Sequence, residues 1–292
     1  MTQMLDRLAT LGAPYRDPVE AIDWQASDDE QPWLPLSMLS VDGLPLRDQL
    51  SEETLRRLSR AEFSRLCVAG MWLEGLLISR VTERGFVGAR VDEARVMLQE
   101  VREETGHSLM FLEMVDRAGL ADVPLLGDTK LLTRVAHHLN PDGPEFWSMV
   151  YIGETVTDTF ATQALKAVRK CGEAICPVAR QVLDLHHHDE ARHIAAARVF
   201  LANRAELMTR PRRMIFARTL RFLLKRFLAA TLYPTVESLA VAGVPDPQNA
   251  AAAVRACPQR RRLAEACAAP ALGLLGRGGL IETARTRRKE SA

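Results

Sequence analysis

Two short segments of this 292-residue chain each place a glutamate three residues ahead of a histidine: Glu104 and His107 in EETGH, Glu190 and His193 in DEARH. At about 100° per residue, the members of each pair project from one helix face, about 60° apart. An oxygen and a nitrogen donor so placed can grip one metal ion together. A single Glu-x-x-His is weak evidence, because 21 Glu and 7 His in 292 residues supply about half of one by chance. Two weigh more here, since each falls mid-helix and follows a helix that holds an isolated glutamate of its own. The competing reading is a set of solvated helix-surface charges.

Glu74 is the only acidic residue between Leu66 and Val81, and Met71, Trp72, Leu73, Leu76, Leu77 and Ile78 surround it. A carboxylate there is costly to bury unless a cation or hydrogen bonds compensate it. Glu62 and Glu83 are alternatives on the same helix, in more polar surroundings. Glu154 sits among Val150, Tyr151, Ile152 and Val156, with Asp158 one turn on as its competitor; the longer glutamate reaches farther. Thirty residues separate Glu74 from Glu104 and thirty-six separate Glu154 from Glu190. Such spans suit long antiparallel hairpins that return to the same level. Four helices thereby bring Glu, Glu-x-x-His, Glu and Glu-x-x-His to one depth of a bundle, the ligand plan of ferritin-like carboxylate-bridged di-iron and di-manganese proteins.

Hard oxygen donors with one imidazole per metal suit Fe(II) or Mn(II), and four carboxylates would neutralise two divalent ions. The cysteines, Cys67, Cys171, Cys176, Cys257 and Cys267, lack the CxxC pairing that thiolate zinc or redox sites use, and read as reduced, mostly buried apolar groups. Asp189, beside Glu190, could accept the outer ring N–H of a ligand histidine or pair with Arg192 at the surface. Glu100, one turn before Glu104, could support the site or face solvent. His186 lies four residues before Glu190 on the same face as His193 and can reach the same metals, whereas His187 and His188 point elsewhere. His137 and His138 read as structural or exposed.

With Glu74, Glu104 in EETGH, His107, Glu154, His186, Glu190 in HHHDEARH and His193 assembled, the sequence resembles the para-aminobenzoate N-oxygenases, arylamine N-oxygenases of ferritin-like fold in which a third histidine joins four glutamates and two histidines. The resemblance covers roughly residues 60 to 200. It implies a dinuclear iron centre, with manganese as the other candidate metal, that uses O2 to carry an amine through hydroxylamine to nitroso or nitro products. The implied partners are a small amine, O2 and an external electron donor such as a reductase or ferredoxin, since no flavin, nicotinamide or iron–sulfur motif is present. Alternatives are a hydroxylase or desaturase acting at carbon, an iron-handling ferritin-like protein and a metal-free helical interaction protein. Radical storage of the ribonucleotide-reductase kind is disfavoured, because Phe111 stands one turn after His107, where such proteins commonly place a tyrosine.

The elements that must hold these residues are all helical. Ser51 followed by Glu52, Glu53 and Thr54 resembles a helix start, and apolar residues recur at helical spacing until Gly85 to Gly88. A second helix runs from Val91 to Ala118 and closes at Gly119. After a Pro/Gly-containing connection that holds a short helix over Lys130 to Leu139, a third covers Pro144 to Cys171 and a fourth Cys176 to Asn203, with Pro177 in its first turn. Residues 1–50, with five prolines and an acidic DDE, read as an irregular N-terminal arm. Residues 211–292 read as accessory helices broken at Pro234, Pro245, Pro247, Pro258 and Pro270. The expectation is one all-α domain over 51–292, its metal-binding bundle at 51–203, with a homodimer as one open assembly.

Charge and hydropathy remove other classes. Lys plus Arg number 38 against 37 acidic residues, which gives no bulk drive toward nucleic acid or an anionic membrane. The late basic groups, at Arg210 to Arg213, Arg260 to Arg262 and Arg285 to Lys289, lack interleaved aromatics and read as solvated faces and a frayed tail. The stretch Leu220 to Ala242 is interrupted by Arg221, Lys225, Arg226 and Glu237, so no membrane span is expected. The acidic, non-hydrophobic start points to a cytoplasmic address.

Overall fold

In the computed structural model the described residues are 2–12, 14–84, 86, 88, 90–206 and 208–280. The readings on Gly85 and on the basic tail at Arg285 to Lys289 lie outside them. The helices run α1 (Thr2–Leu11), α2 (Pro18–Ala21), α3 (Glu52–Arg84), α4 (Val91–Arg117), α5 (Lys130–His138), α6 (Pro144–Cys171), α7 (Pro177–Ala205), α8 (Arg210–Leu232), α9 (Val236–Val241), α10 (Pro247–Ala256) and α11 (Pro258–Arg277). Among the described residues there is no strand, and the chain is all-α, as expected.

Local chemistry sets the boundaries of the four long helices. Ser51 Oγ accepts the Thr54 amide at 3.1 Å and starts α3. Gly119, at φ 67°, ends α4, and the Leu120 amide folds back onto the Val115 carbonyl. Pro144 and Pro177 occupy the first turns of α6 and α7, where the missing amide costs nothing, and Gly172 at φ 69° closes α6. The pairs α3/α4 and α6/α7 are antiparallel hairpins, and α4 against α7 with α3 against α6 closes the bundle. One large apolar core extends from Leu5 to Leu280, with α11 lying along α6 and α8 against α3. Among the described residues no helix is long and apolar enough to cross a membrane.

Three expectations need correction. The N-terminal arm is not irregular throughout. Its first residues form α1, which buries Leu5, Leu8 and Ala9 against α4 and α7; the apolar spacing of those residues outweighs the proline-rich composition that follows. Pro270 does not break a helix. It lies inside α11, where packing along α6 buries Ala264, Cys267, Ala268 and Ala271 and carries the helix past the lost amide. Arg260 is not a solvated base: it is 3% exposed and its guanidinium binds the carbonyls of Leu232 and Met38.

Candidate metal centre

Each of Glu74 on α3, Glu104 and His107 on α4, Glu154 on α6, and His186, Glu190 and His193 on α7 is buried at the centre of the bundle. Donor atoms of Glu104, His107, Glu190 and His193 lie within 4.8 Å of one another, and those of Glu74, His107 and His186 form an adjoining group of the same tightness. His193 Nδ1 stands 3.0 Å from Glu104 Oε1 and 3.7 Å from Glu190 Oε1, while His107 Nδ1 is 3.5 Å from Glu104 Oε2. His186 Nε2 is 3.0 Å from Glu190 Oε1 and 3.8 Å from Glu74 Oε1. Glu154 falls in neither group but faces Glu190 and Glu104 closely enough to feel both charges.

Satisfaction of the polar atoms is asymmetric. The outer nitrogens of His107 and His193 are bonded: His107 Nε2 donates to Asp189 Oδ2 at 3.2 Å, and His193 Nε2 to Glu103 Oε2 at 2.9 Å. Because an ionised carboxylate only accepts, these bonds place a proton on Nε2 and direct Nδ1 inward. The inward atoms, Nδ1 of both histidines, both oxygens of Glu104 and Glu190, and Glu74 Oε1, are buried without a hydrogen-bond partner. Orphaned donors concentrated at one point, all of metal-ligating type, are what a cation would satisfy.

Among the alternatives, Glu62 is buried elsewhere against Arg65 and Arg260, Glu83 pairs with Arg80, and Asp158 pairs with His187 Nδ1 at 2.5 Å. His188 is exposed. Arg192 pairs with Glu103, not Asp189, and Glu100 is buried 4.0 Å from His193 Nε2. Sequence reasoning missed Glu103 and Ser108, whose hydroxyl donates to Glu74 Oε2 at 2.5 Å. The signal for Glu103 was present: both segments read acidic-Glu-x-x-His, and the acid before each glutamate bonds the histidine of the opposite helix. Ser108 had no signal beyond adjacency to His107. Outer bonds of this kind orient ligand histidines, and losing one typically costs about 10–100-fold in metal affinity. Asp189→Asn and Glu103→Gln are each expected to weaken Fe(II) binding by that factor, read by competition with a calibrated chelator; an unchanged affinity in both would rule out this orienting role.

Over the Asp189 side the N-terminal segment forms a cleft of about 700 Å³ between Tyr15, Arg16 and Pro18 and the outer edges of His107, Asp189 and Arg192. Glycine at 106 permits this closure, since a Cβ there would stand 2.6 Å from the Tyr15 hydroxyl oxygen and 2.7 Å from Pro18 Cδ.

Burial and mutual charge polarise the centre. Burial opposes ionisation of Glu104, yet the His193 charge and its contacts with His107 and His193 bring its carboxyl down to about 2. Burial likewise opposes a charge on His186, but Glu190 and then Glu74 push the imidazole up to about 10. Burial would lower His107 and His193, and the facing carboxylates raise both. Glu154 is held well above the usual carboxylate range by burial and by Glu190 and Glu104; Glu74 and Glu100 are raised by burial foremost. Without metal, protons therefore take the place of cations. The raised histidines contribute stability that is complete below their ordinary 6.5 and is lost as pH rises through the folded values, about 10 for His186. The depressed Glu104 contributes above its ordinary 4.5 and loses that contribution toward about 2. Raising the pH from about 6 to 8 should thus lower the melting temperature of metal-free protein, while the stabilisation by added Fe(II) should grow because binding releases protons. Scanning calorimetry with and without Fe(II) checks both signs.

Comparison with known proteins places this geometry. The family described as P-aminobenzoate N-oxygenase AurF matches residues 2–279, well beyond the 60–200 span of the sequence resemblance. An uncharacterized protein of Mycobacterium tuberculosis (strain CDC 1551 / Oshkosh) is 29% identical over 230 residues, covering 74% of this chain and 65% of its own length. Another from Mycobacterium bovis (strain ATCC BAA-935 / AF2122/97) is 30% identical over 226 residues, covering 72% and 64%. The chain thus spans just under two thirds of these relatives. Among solved structures, an R2-like ligand-binding oxidase with aerobically reconstituted Mn/Fe cofactor superposes with a TM-score of 0.54 at 15% identity, over 96% of this chain and 92% of that one. A variant of such an oxidase with anaerobically reconstituted Mn/Fe cofactor gives 0.55 at 15%, over 96% and 93%. Likeness at that identity establishes a shared fold. The family match takes in all four long helices and both acidic-Glu-x-x-His segments, and on it the chain belongs to the P-aminobenzoate N-oxygenase AurF family.

Proposed function

We propose that this chain is a dimetal oxygenase that uses O2 to N-oxygenate an amine, an arylamine in the first instance, toward hydroxylamine, nitroso or nitro products. Glu74, Glu104, His107, Glu154, His186, Glu190 and His193 would hold two iron ions; manganese suits the same donors. The observation that carries this reading is the set of partnerless inward atoms ringed by outer nitrogens that are already bonded. When bound, the metal pair supplies the reductive activation of O2.

The protein's own part is positioning and proton control. Asp189 and Glu103 fix the ring orientation of His107 and His193. Ser108 orients the Glu74 carboxylate, and the raised Glu154 can hold a proton beside Glu190. Burial of the whole set excludes bulk water. An external reductase or ferredoxin supplies electrons. The mycobacterial relatives carry no named activity, so the family match and the donor set bear the weight.

The test is a single turnover of iron-loaded, chemically reduced protein with isotopically labelled O2 and aniline. Label in phenylhydroxylamine or nitrosobenzene is the expected result. Reduced protein that consumes no O2 in the presence of amines, or labels only carbon, would overturn the assignment.

A further inference from the structure

The two bonded outer nitrogens leave one side of the centre for substrate. His107 and His193 turn their Nε2 edges toward Asp189 and Glu103, so a molecule in the large outer cleft meets the back of an imidazole. The opposite side, toward α3 and α6, holds Glu74 and Glu154. There a small chamber of about 50 Å³ begins at His186 and Phe111 and continues along Gly70, Phe63, Phe160 and Leu183. On α3, Gly70 and Phe63 lie four and eleven residues before Glu74, or about one and three helical turns from the metal level. The chamber therefore runs along the bundle axis, with its polar end at the donor cluster.

Its far end offers nothing to a charge. Among the described residues no Lys or Arg lines it. The Thr157 hydroxyl is committed to the carbonyls of Gly153 and Glu154, and burial keeps the Cys67 thiol protonated. Resting on the N-oxygenase reading, we propose that this chamber is the substrate site and that its substrate is an uncharged, apolar amine without a carboxylate, unlike para-aminobenzoate. With the nitrogen directed at the metals, a para carboxylate would lie unpaired among Phe63, Phe160 and Leu183, where an isolated anion is heavily penalised. A methyl group in its place would be at home.

The chamber is smaller than the ~150 Å³ apolar cavity that accepts benzene in another protein, so an aryl ring enters as Phe111 turns aside. Phe111 packs on His186, with ring centroids 4.9 Å apart, and closely against Gly70, where a Cβ would stand 2.5 Å from Phe111 Cε2. The missing side chain at Gly70 is thus the space that the Phe111 ring already fills, and a Cβ there would press the ring toward the chamber.

Calorimetric titration of the iron-loaded protein under anaerobic conditions, with para-toluidine and para-aminobenzoate, tests the selectivity. Para-toluidine is expected to bind at least about 100-fold more tightly, the scale set by burying an unpaired charge. Equal or stronger binding of para-aminobenzoate would overturn the proposal. Gly70→Ala, whose Cβ would press the Phe111 ring into the chamber, should weaken para-toluidine binding at least about 10-fold while bound iron and helical content are retained, with the melting temperature somewhat lowered by the overpacking. Unchanged affinity in that variant would place the binding elsewhere and overturn the chamber assignment. Para-toluidine bound with the expected preference but never oxidised would leave the chamber standing and refute the N-oxygenase reading. Oxidation without preference would do the reverse.

Discussion

Glu190→Ala is expected to leave a folded helical protein that no longer retains metal. Glu190 is 0% exposed, neither of its oxygens has a hydrogen-bond partner, and it faces His186, His193 and Glu154 from α7. His107 belongs to both donor clusters, and Glu190 also reaches across them, its Oε1 lying 3.0 Å from His186 Nε2 of one and 3.7 Å from His193 Nδ1 of the other. Removing it would take a charge and a donor from the proposed centre itself, so the loss should exceed the about 10–100-fold attached to an outer carboxylate. Elemental analysis of protein purified after growth in iron should find metal absent or nearly so, and added Fe(II) should no longer raise the melting temperature. Metal content equal to that of the unaltered protein would remove Glu190 from the ligand set. Glu190→Gln separates charge from shape: it keeps the volume and loses the anion. It too should fail to hold metal, because a neutral amide cannot help neutralise two divalent ions.

The metal-free consequence of the same substitution has a definite sign. Glu190 is the first influence that raises His186 against its burial. Without it the imidazole is held up by Glu74 alone against its burial, and gives up its proton more readily. A neutral buried histidine costs far less than a charged one, which is why the fold should survive the loss of the site.

Legibility of the sequence followed the range of the interactions. The four long helices were readable because their ends are local: Ser51 capping Thr54, Pro144 and Pro177 in first turns, Gly119 and Gly172 at positive φ. The inward residues were readable because Glu-x-x-His spacing and an isolated Glu in an apolar run are also local patterns. Pairings between distant segments were not. His193 with Glu103 spans ninety residues, and Arg260 with Met38 spans 222; nothing in the spacing around either partner points to the other. Glu62 shows the difference most clearly. Its sequence neighbours, Arg60 and Arg65, suggest a polar helix face, but the face is buried because segments from the far end of the chain fold over it.

That buried face yields the second large effect. Glu62→Ala is expected to lower unfolding free energy by about 3–5 kcal/mol, the range for removing one partner of a buried ion pair. Glu62 is 0% exposed and lies 3.6 Å from both Arg65 and Arg260, and it accepts the Ser40 amide at 3.0 Å. Arg65 donates to the Thr231 carbonyl and Arg260 to those of Leu232 and Met38. One carboxylate thus supports two guanidinium groups that fasten α3 to the end of α8, to α11 and to the N-terminal segment. Burial lowers the Arg65 guanidinium to about 10 even with Glu62 holding it up, but an arginine keeps its charge inside a protein, so after the substitution it stays charged and has lost its nearest anion. Relief cannot come from deprotonation, as it can for His186. Urea unfolding of the metal-free protein measures the loss directly. Metal affinity of whatever remains folded should be unchanged, because Glu62 stands twelve residues, or about three turns, before Glu74 on α3. A variant as stable as the parent would mean that the desolvation cost of the three charges already cancels their attraction, and that packing alone holds α11 against the bundle.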